Sequence, residues 1–188
     1  MSAAPQPNRT RQRLILLLIA AIFIAPLAAA LVLYYRDWQP LRTKNYGQML
    51  QPVRDLRDVR FTRAGGGRFE WHHEDHVWRL LVAPPAGCGS ECDTLEDALR
   101  RIWVGLGNNA DSVQVLWAGA APKQGFRNLI VVDADASLAS RLPDAAAPGA
   151  IPVYLVDPSG YLFMRYQPGF DPGGMRRDLQ RLTQQGGM

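Results

Sequence analysis

The chain has little cysteine and little histidine, two of the first and three of the second in 188 residues. It shows no serine–histidine–aspartate triad, no glycine-rich phosphate loop and no acid–base carboxylate pair, which argues against hydrolase and nucleotide-dependent chemistry. Internal repeats and low-complexity tracts are also missing. Clustered positive charge is absent from any part that could fold around a core. The net charge is +4, but Arg9, Arg11 and Arg13 supply three of the cations, and the remaining 18 basic and 17 acidic residues leave +1. Nucleic acid is therefore not an expected partner. The length allows one compact domain plus an anchor, and not comfortably two cores.

What is present first is a long apolar run. Residues 14–35, LILLLIAAIFIAPLAAALVLYY, carry no charge, and at about 1.5 Å per residue they span a hydrocarbon core of roughly 30 Å. They predict a transmembrane helix in which Pro26 is tolerable. The arginines before the run and Tyr34, Tyr35 and Trp38 after it place residues 1–13 in the cytoplasm and the rest outside. A cleaved signal peptide is the competing reading, with Ala28, Ala29 and Ala30 as its small residues. Either way the C-terminal domain is exported to a compartment where disulfides persist, such as the bacterial periplasm beyond the inner membrane.

Residues 36–68 contain Pro40, Pro52, many charges and Gly65–Gly67 with no sustained period, and they read as a connecting arm with a possible strand at 59–62. The domain proper is set at 69–188. VWRLLV at 77–82, closed by Pro84 and Pro85, predicts a buried strand. Leu95, Leu99, Ile102, Trp103 and Leu106 then mark one helix face. Glu96 with Arg100 and Asp97 with Arg101 are i,i+4 pairs assigned to the opposite, solvated side. Strands follow at 113–117 and 129–133, with a short helix at 137–142. The segments 151–156 and 161–166 flank Asp157-Pro158-Ser159-Gly160 as a hairpin. Asp171 and Pro172 open a last helix striped by Met175, Leu179 and Leu182. Strands interleaved with helices and a closing hairpin imply an α/β fold, a mixed sheet flanked by helices.

Cys88 and Cys92 fall where the strand's loop turns into the first helix of this domain. Unpaired amides and the positive dipole end there favour a thiolate, the reactive and metal-binding form. A disulfide between them is feasible. Its loop is so short that stapling is a poor reason for it, because loop-closure entropy grows with loop length. A redox or copper-ligand role is favoured over a structural disulfide.

With its N-terminal anchor, NYGQMLQP at 45–52, CGSEC at 88–92, YLVDPSG at 154–160 and the ending DPGGMRRDLQRL, the chain resembles the Sco/SenC family of membrane-anchored, thioredoxin-like cytochrome c oxidase assembly proteins. The likeness covers most of residues 14–184. It implies a thioredoxin-like domain, an oxidase subunit or another copper-site assembly protein as partner, and Cu(I) held by two cysteines and a histidine. The cysteines carry over to Cys88 and Cys92, while the histidine maps to about Gly149 and Asp93 stands where a proline usually follows the second cysteine. A two-thiolate site remains as the possible copper ligand set.

Pro152 looks like the thioredoxin loop proline that lies beside the cysteines in the cis form, leaving adjacent backbone free to pair with a bound chain, the alternative being a trans proline that opens an edge strand. Cys88, Cys92 and Pro152 are thus the candidate catalytic residues for thiol–disulfide exchange, with Cys88 attacking and Cys92 resolving. The alternatives are a Cu(I) chaperone without turnover, supplemented by His72 and His76 if they share one face of an extended segment, although the surrounding Glu70, Glu74 and Asp75 favour a solvated hairpin or loop there, and a non-catalytic assembly scaffold. Met49, Met164 and Met175 are further soft donors, the last two fitting apolar faces.

Overall fold

The computed structural model describes residues 9–35, 45–145 and 151–185. Its two compact units meet in sequence at Thr43 and Lys44. The first contains one helix, α1 (Arg9–Tyr35), with Pro26 inside it. Its stretch Thr10–Val32 is long and apolar enough to cross a membrane, and none of that apolar surface is buried within the protein. A helix that is hydrophobic all round and uncovered suits lipid.

The second unit is built on an eight-stranded sheet: β1 (Gln48–Asp55), β2 (Phe61–Arg63), β3 (Arg68–Phe69), β4 (Trp78–Val82), β5 (Val113–Ala118), β6 (Leu129–Ala134), β7 (Val153–Val156) and β8 (Tyr161–Tyr166). Their spatial order is β1-β8-β7-β4-β5-β6-β2-β3. β4, β5 and β6 run parallel, and the remaining pairings are antiparallel. Helix α2 (Ser90–Gly105) crosses over between β4 and β5, α3 (Ser137–Arg141) follows β6, and α4 (Pro172–Gln185) follows β8.

Alternation along the central strands divides the core into two layers. Leu80 and Val82 of β4, Val115 and Trp117 of β5, and Val153 and Leu155 of β7 pack under Cys92, Leu95, Leu99 and Ile102 of α2 and Met175 and Leu179 of α4. Leu81, Leu116, Tyr154 and Val156 face the other way, onto Leu56, Phe61, Phe69 and Leu138. Met164 and Met175 are buried in the first layer, as their apolar setting predicts, while Met49 is exposed.

The arm differs from its sequence reading. Residues 48–55 and 61–63 are in the sheet, the latter overlapping the strand expected at 59–62, with β1 zipping onto β8, Gln48 opposite Arg165 and Asp55 opposite Tyr161. The ladder is interrupted between Met49 and Arg54, where the Gln51–Pro52 bond is cis. An edge strand broken by a bulge and half exposed on both faces has no clean two-residue period to read. At its start, Tyr46 and Gly47 pass so close to β8 and α4 that a Cβ on Gly47 would meet the Met164 side chain, and one on Gly174 would meet Tyr46. The buried carboxylate of Asp178, 2% exposed, accepts the Tyr46 and Gly47 N–H groups at 2.8 and 3.0 Å and the Tyr166 hydroxyl at 3.1 Å.

Candidate functional site at the start of helix α2

After β4 the chain turns through Pro84, Pro85 and Gly87, the last at φ +77°, before α2 begins. That left-handed residue needs glycine, and it lets the Cys88 N–H bond back to the Pro85 carbonyl at 3.2 Å. Gly89 caps α2, and its carbonyl accepts the Cys92 N–H at 3.1 Å. Cys88 and Cys92 are joined in a disulfide across a Cα separation of 5.8 Å. Cys92 is 9% exposed and belongs to the core layer, whereas Cys88 is half-buried and packs at its margin.

Pro152 is buried in the loop before β7, two positions from Tyr154. Its preceding bond is not cis; among the described residues Gln51–Pro52 is the cis peptide. The expectation of a cis loop proline is therefore corrected. Pro152 instead leads straight into β7, whose Val153 pairs with Val82 on one side and Tyr166 on the other, and an extended trans proline suits the start of a strand. Ile151, beside it, lines a cleft of about 460 Å³ together with Leu95, Pro168 and Phe170, with Glu91 and Arg101 also at the cleft. This mostly apolar cleft runs along α2 from the turn that holds Cys92.

The histidines are elsewhere. His73–Asp75 form a 3-10 turn and His76 has φ +50°, so the extended segment expected to align His72 with His76 does not exist. All three imidazoles are exposed and precede β4, while the cysteines follow it. Five residues of strand, about 16 Å at 3.3 Å per residue, separate the two ends. At the histidine end the buried Arg79, 2% exposed, stacks against Phe69 and Trp71 and donates to the Val77 carbonyl at 3.0 Å, burial pushing its pKa down. Gly149, where the resemblance placed a histidine, lies outside the described residues. No group of three or more His, Cys, Asp or Glu side chains among the described residues is arranged to hold a metal. Two sulfurs without a third donor do not fit a three-coordinate copper centre.

On α2 the expected i,i+4 pair of Asp97 with Arg101 forms, whereas that of Glu96 with Arg100 does not. Asp97 pairs with both Arg100 and Arg101, at 2.8 and 2.7 Å, and the Arg100 guanidinium holds its carboxyl below the usual carboxylate range. Glu96 points the other way. Only 3% exposed, it accepts the N–H groups of Gln124 at 3.2 Å and Gly125 at 2.5 Å from the β5–β6 loop. Asp93, one turn earlier, pairs with Lys123 of the same loop at 2.6 Å. The one sequence signal was the Gly-Pro-rich turn AGAAPKQG, which says that the chain bends but not what it bends around.

Residues 78–185 match the family described as transmembrane-like, thioredoxin-like, C-terminal domain. The chain belongs to this family. The matched span begins at β4 and runs to the end of α4, so it contains the disulfide, the cleft and the β5–β6 loop. No curated protein sequence matches the chain. Its fold is similar to that of solved Sco structures. BsSco, a member of the Sco family of cytochrome c oxidase assembly proteins in which a disulfide switch was identified, is 12% identical with a TM-score of 0.52, over 71% of this chain and 95% of that one. The apo Sco1 protein from Thermus thermophilus is 18% identical at 0.51, over 77% and 99%. A SCO1/SenC family lipoprotein from Bacillus anthracis str. Ames is 13% identical at 0.50, over 71% and 98%. At such identities the likeness is one of fold, and it bears out the mixed thioredoxin-like sheet with flanking helices.

Proposed function

We propose that this chain is a membrane-anchored thiol–disulfide exchange protein that acts on cysteines of a copper-site partner during cytochrome c oxidase assembly. The observation that carries the reading is the Cys88–Cys92 disulfide at the start of α2, with one sulfur at the surface layer and the other in the core. In the reduced protein the helix terminus stabilises a thiolate at Cys88. That thiolate attacks a partner disulfide, forming a mixed disulfide and releasing one partner thiolate. Cys92 then gives up its proton to solvent and attacks Cys88, so that the Cys88–Cys92 bond forms and the second partner thiolate leaves and is protonated. The pair loses two electrons and the partner gains them; the same steps in reverse oxidise a partner. The cleft beside Ile151 and Pro152 gives the partner chain a place to lie, with α1 as the anchor, the N-terminus in the cytoplasm and the domain in the periplasm.

The test is exchange with a disulfide-linked peptide, using the full chain in detergent and its Cys88→Ser variant, together with a reduction potential from glutathione buffers. Exchange abolished by Cys88→Ser is the expected result; exchange no faster than that variant sinks the reading. A second reading, Cu(I) held by the reduced pair without turnover, draws on the soft character of two adjacent thiolates. Anaerobic competition with a chromophoric chelator decides it: one copper held by the reduced chain and lost in Cys88→Ser, Cys92→Ser would replace exchange by copper carriage.

A further inference from the structure

Glu96 is a buried acid that thiol exchange, as described above, does not use. Among the described residues its ion-pair partners are none, since Asp97 and Asp93 take the nearby cations. Two consecutive backbone amides of the β5–β6 loop satisfy it instead. They converge because Gly125 is left-handed at φ +64°, the kind of turn that forms an anion-holding nest of successive N–H groups. Glu96 lies one turn after Cys92 on α2, and helical side chains lean toward the N-terminus, so it reaches back over the turn of Cys92. The residue after Gly125 is Phe126, which packs, like Cys88, against the core layer that contains Cys92, and lies tilted against Trp103 with ring centroids 5.6 Å apart. At the other end of the loop, Gly119 sits against Pro84 of the cysteine loop.

We infer that Glu96 is a positioning residue that latches the β5–β6 loop over Cys92, so that Cys88 alone is open to a partner. The inference rests on Cys88 and Cys92 being the working pair. It assigns the order of the two sulfurs to a carboxylate and a loop rather than to the helix terminus alone. Lys123 with Asp93 is an exposed second fastening and contributes less.

The experiment is pulsed iodoacetamide alkylation of the reduced full chain in detergent, with the two cysteines quantified separately by mass spectrometry and hydrogen exchange followed over residues 119–127. In the wild type Cys88 reacts about tenfold faster than Cys92, from the difference in cover. Glu96→Ala should raise the Cys92 rate at least about fivefold, the low end of what an unsatisfied buried group costs, and leave Cys88 within about twofold. Glu96→Gln keeps the volume and an acceptor oxygen for the Gly125 N–H and should restore most of the protection, whereas Glu96→Met keeps the volume without the acceptor and should not, a difference that simple loss of packing would not give. Gly125→Ala removes the nest without touching α2 and serves where Glu96→Ala does not fold. An unchanged Cys92 rate in the folded variants, whether or not loop exchange rises, overturns the inference. Alkylation needs no partner, so protection of Cys92 without any peptide exchange would count against the proposed function only.

Discussion

Glu96 and Asp178 are both buried carboxylates satisfied chiefly by backbone N–H groups, yet they join different things. Asp178 ties α4 to Tyr46 and Gly47, which are 132 and 131 residues away, and adds the Tyr166 hydroxyl. Glu96 ties α2 to a loop 28 and 29 residues on, with no side-chain donor among the described residues. The first is set among Met164, Tyr46 and Gly174, with no room for a Cβ at Gly47 or Gly174. The second faces the β5–β6 loop, one turn along α2 from Cys92. One acid fastens the frame, and the other fastens a part that can come loose without the frame failing.

That contrast is broken or sharpened by substitution. Asp178→Ala leaves two amides and a phenol unsatisfied inside the protein and should cost about 4 kcal/mol. A denaturant melt reads it, and exchange per folded molecule should be unchanged. Gly174→Ala would gain from helix propensity alone, but Tyr46 blocks the new methyl, so a net loss of about 2 kcal/mol is expected by the same melt. A gain there would mean that the Tyr46 segment is not clamped. Glu96→Ala should cost about 2 kcal/mol, less than Asp178→Ala, with the change concentrated in hydrogen exchange of the β5–β6 loop. Equal losses from the two acids would end the comparison.

The smallest effect is at Tyr166. Tyr166→Phe removes one hydrogen bond to Asp178 and should cost about 1 kcal/mol at neutral pH. Its phenol pKa is raised by burial first and then by the Asp178 charge, and burial also pushes Tyr154 up to about 12. A raised folded-state pKa gives stability that is complete below the unfolded tyrosine value of about 10 and is lost as pH climbs through the folded value. Stability should therefore fall above about pH 10, and the fall should be shallower in Tyr166→Phe. A pH series of melts checks both points.

What could be read from the sequence followed the kind of signal each element carries. β4 through α4 emerged close to their observed bounds, because buried strands, an i,i+4 stripe and a Pro-Gly hairpin are local. β1 was read as arm because its partner, β8, lies more than a hundred residues later and its own pattern is broken at Pro52. The same limit governs the site. The cysteines and their helix terminus were legible in five residues, CGSEC. Glu96 was placed on the solvated face because helical spacing puts it at the border of the apolar stripe, and only the β5–β6 loop, folded against α2, decides which side it takes. The histidine cluster, read chiefly as a solvated loop, is one: an exposed 3-10 turn with a left-handed His76, and the alternative extended segment that would align His72 with His76 is not formed.

The tilted contact of Phe126 with Trp103 also gives the molecule an optical handle. Trp103 is held at its other side by a hydrogen bond from its indole nitrogen to the Ala110 carbonyl at 2.9 Å, so its ring is fixed while one face reports on the loop. Emission from this indole, isolated by replacing the other tryptophans with phenylalanine, would follow the loosening of the β5–β6 segment in real time during a redox cycle.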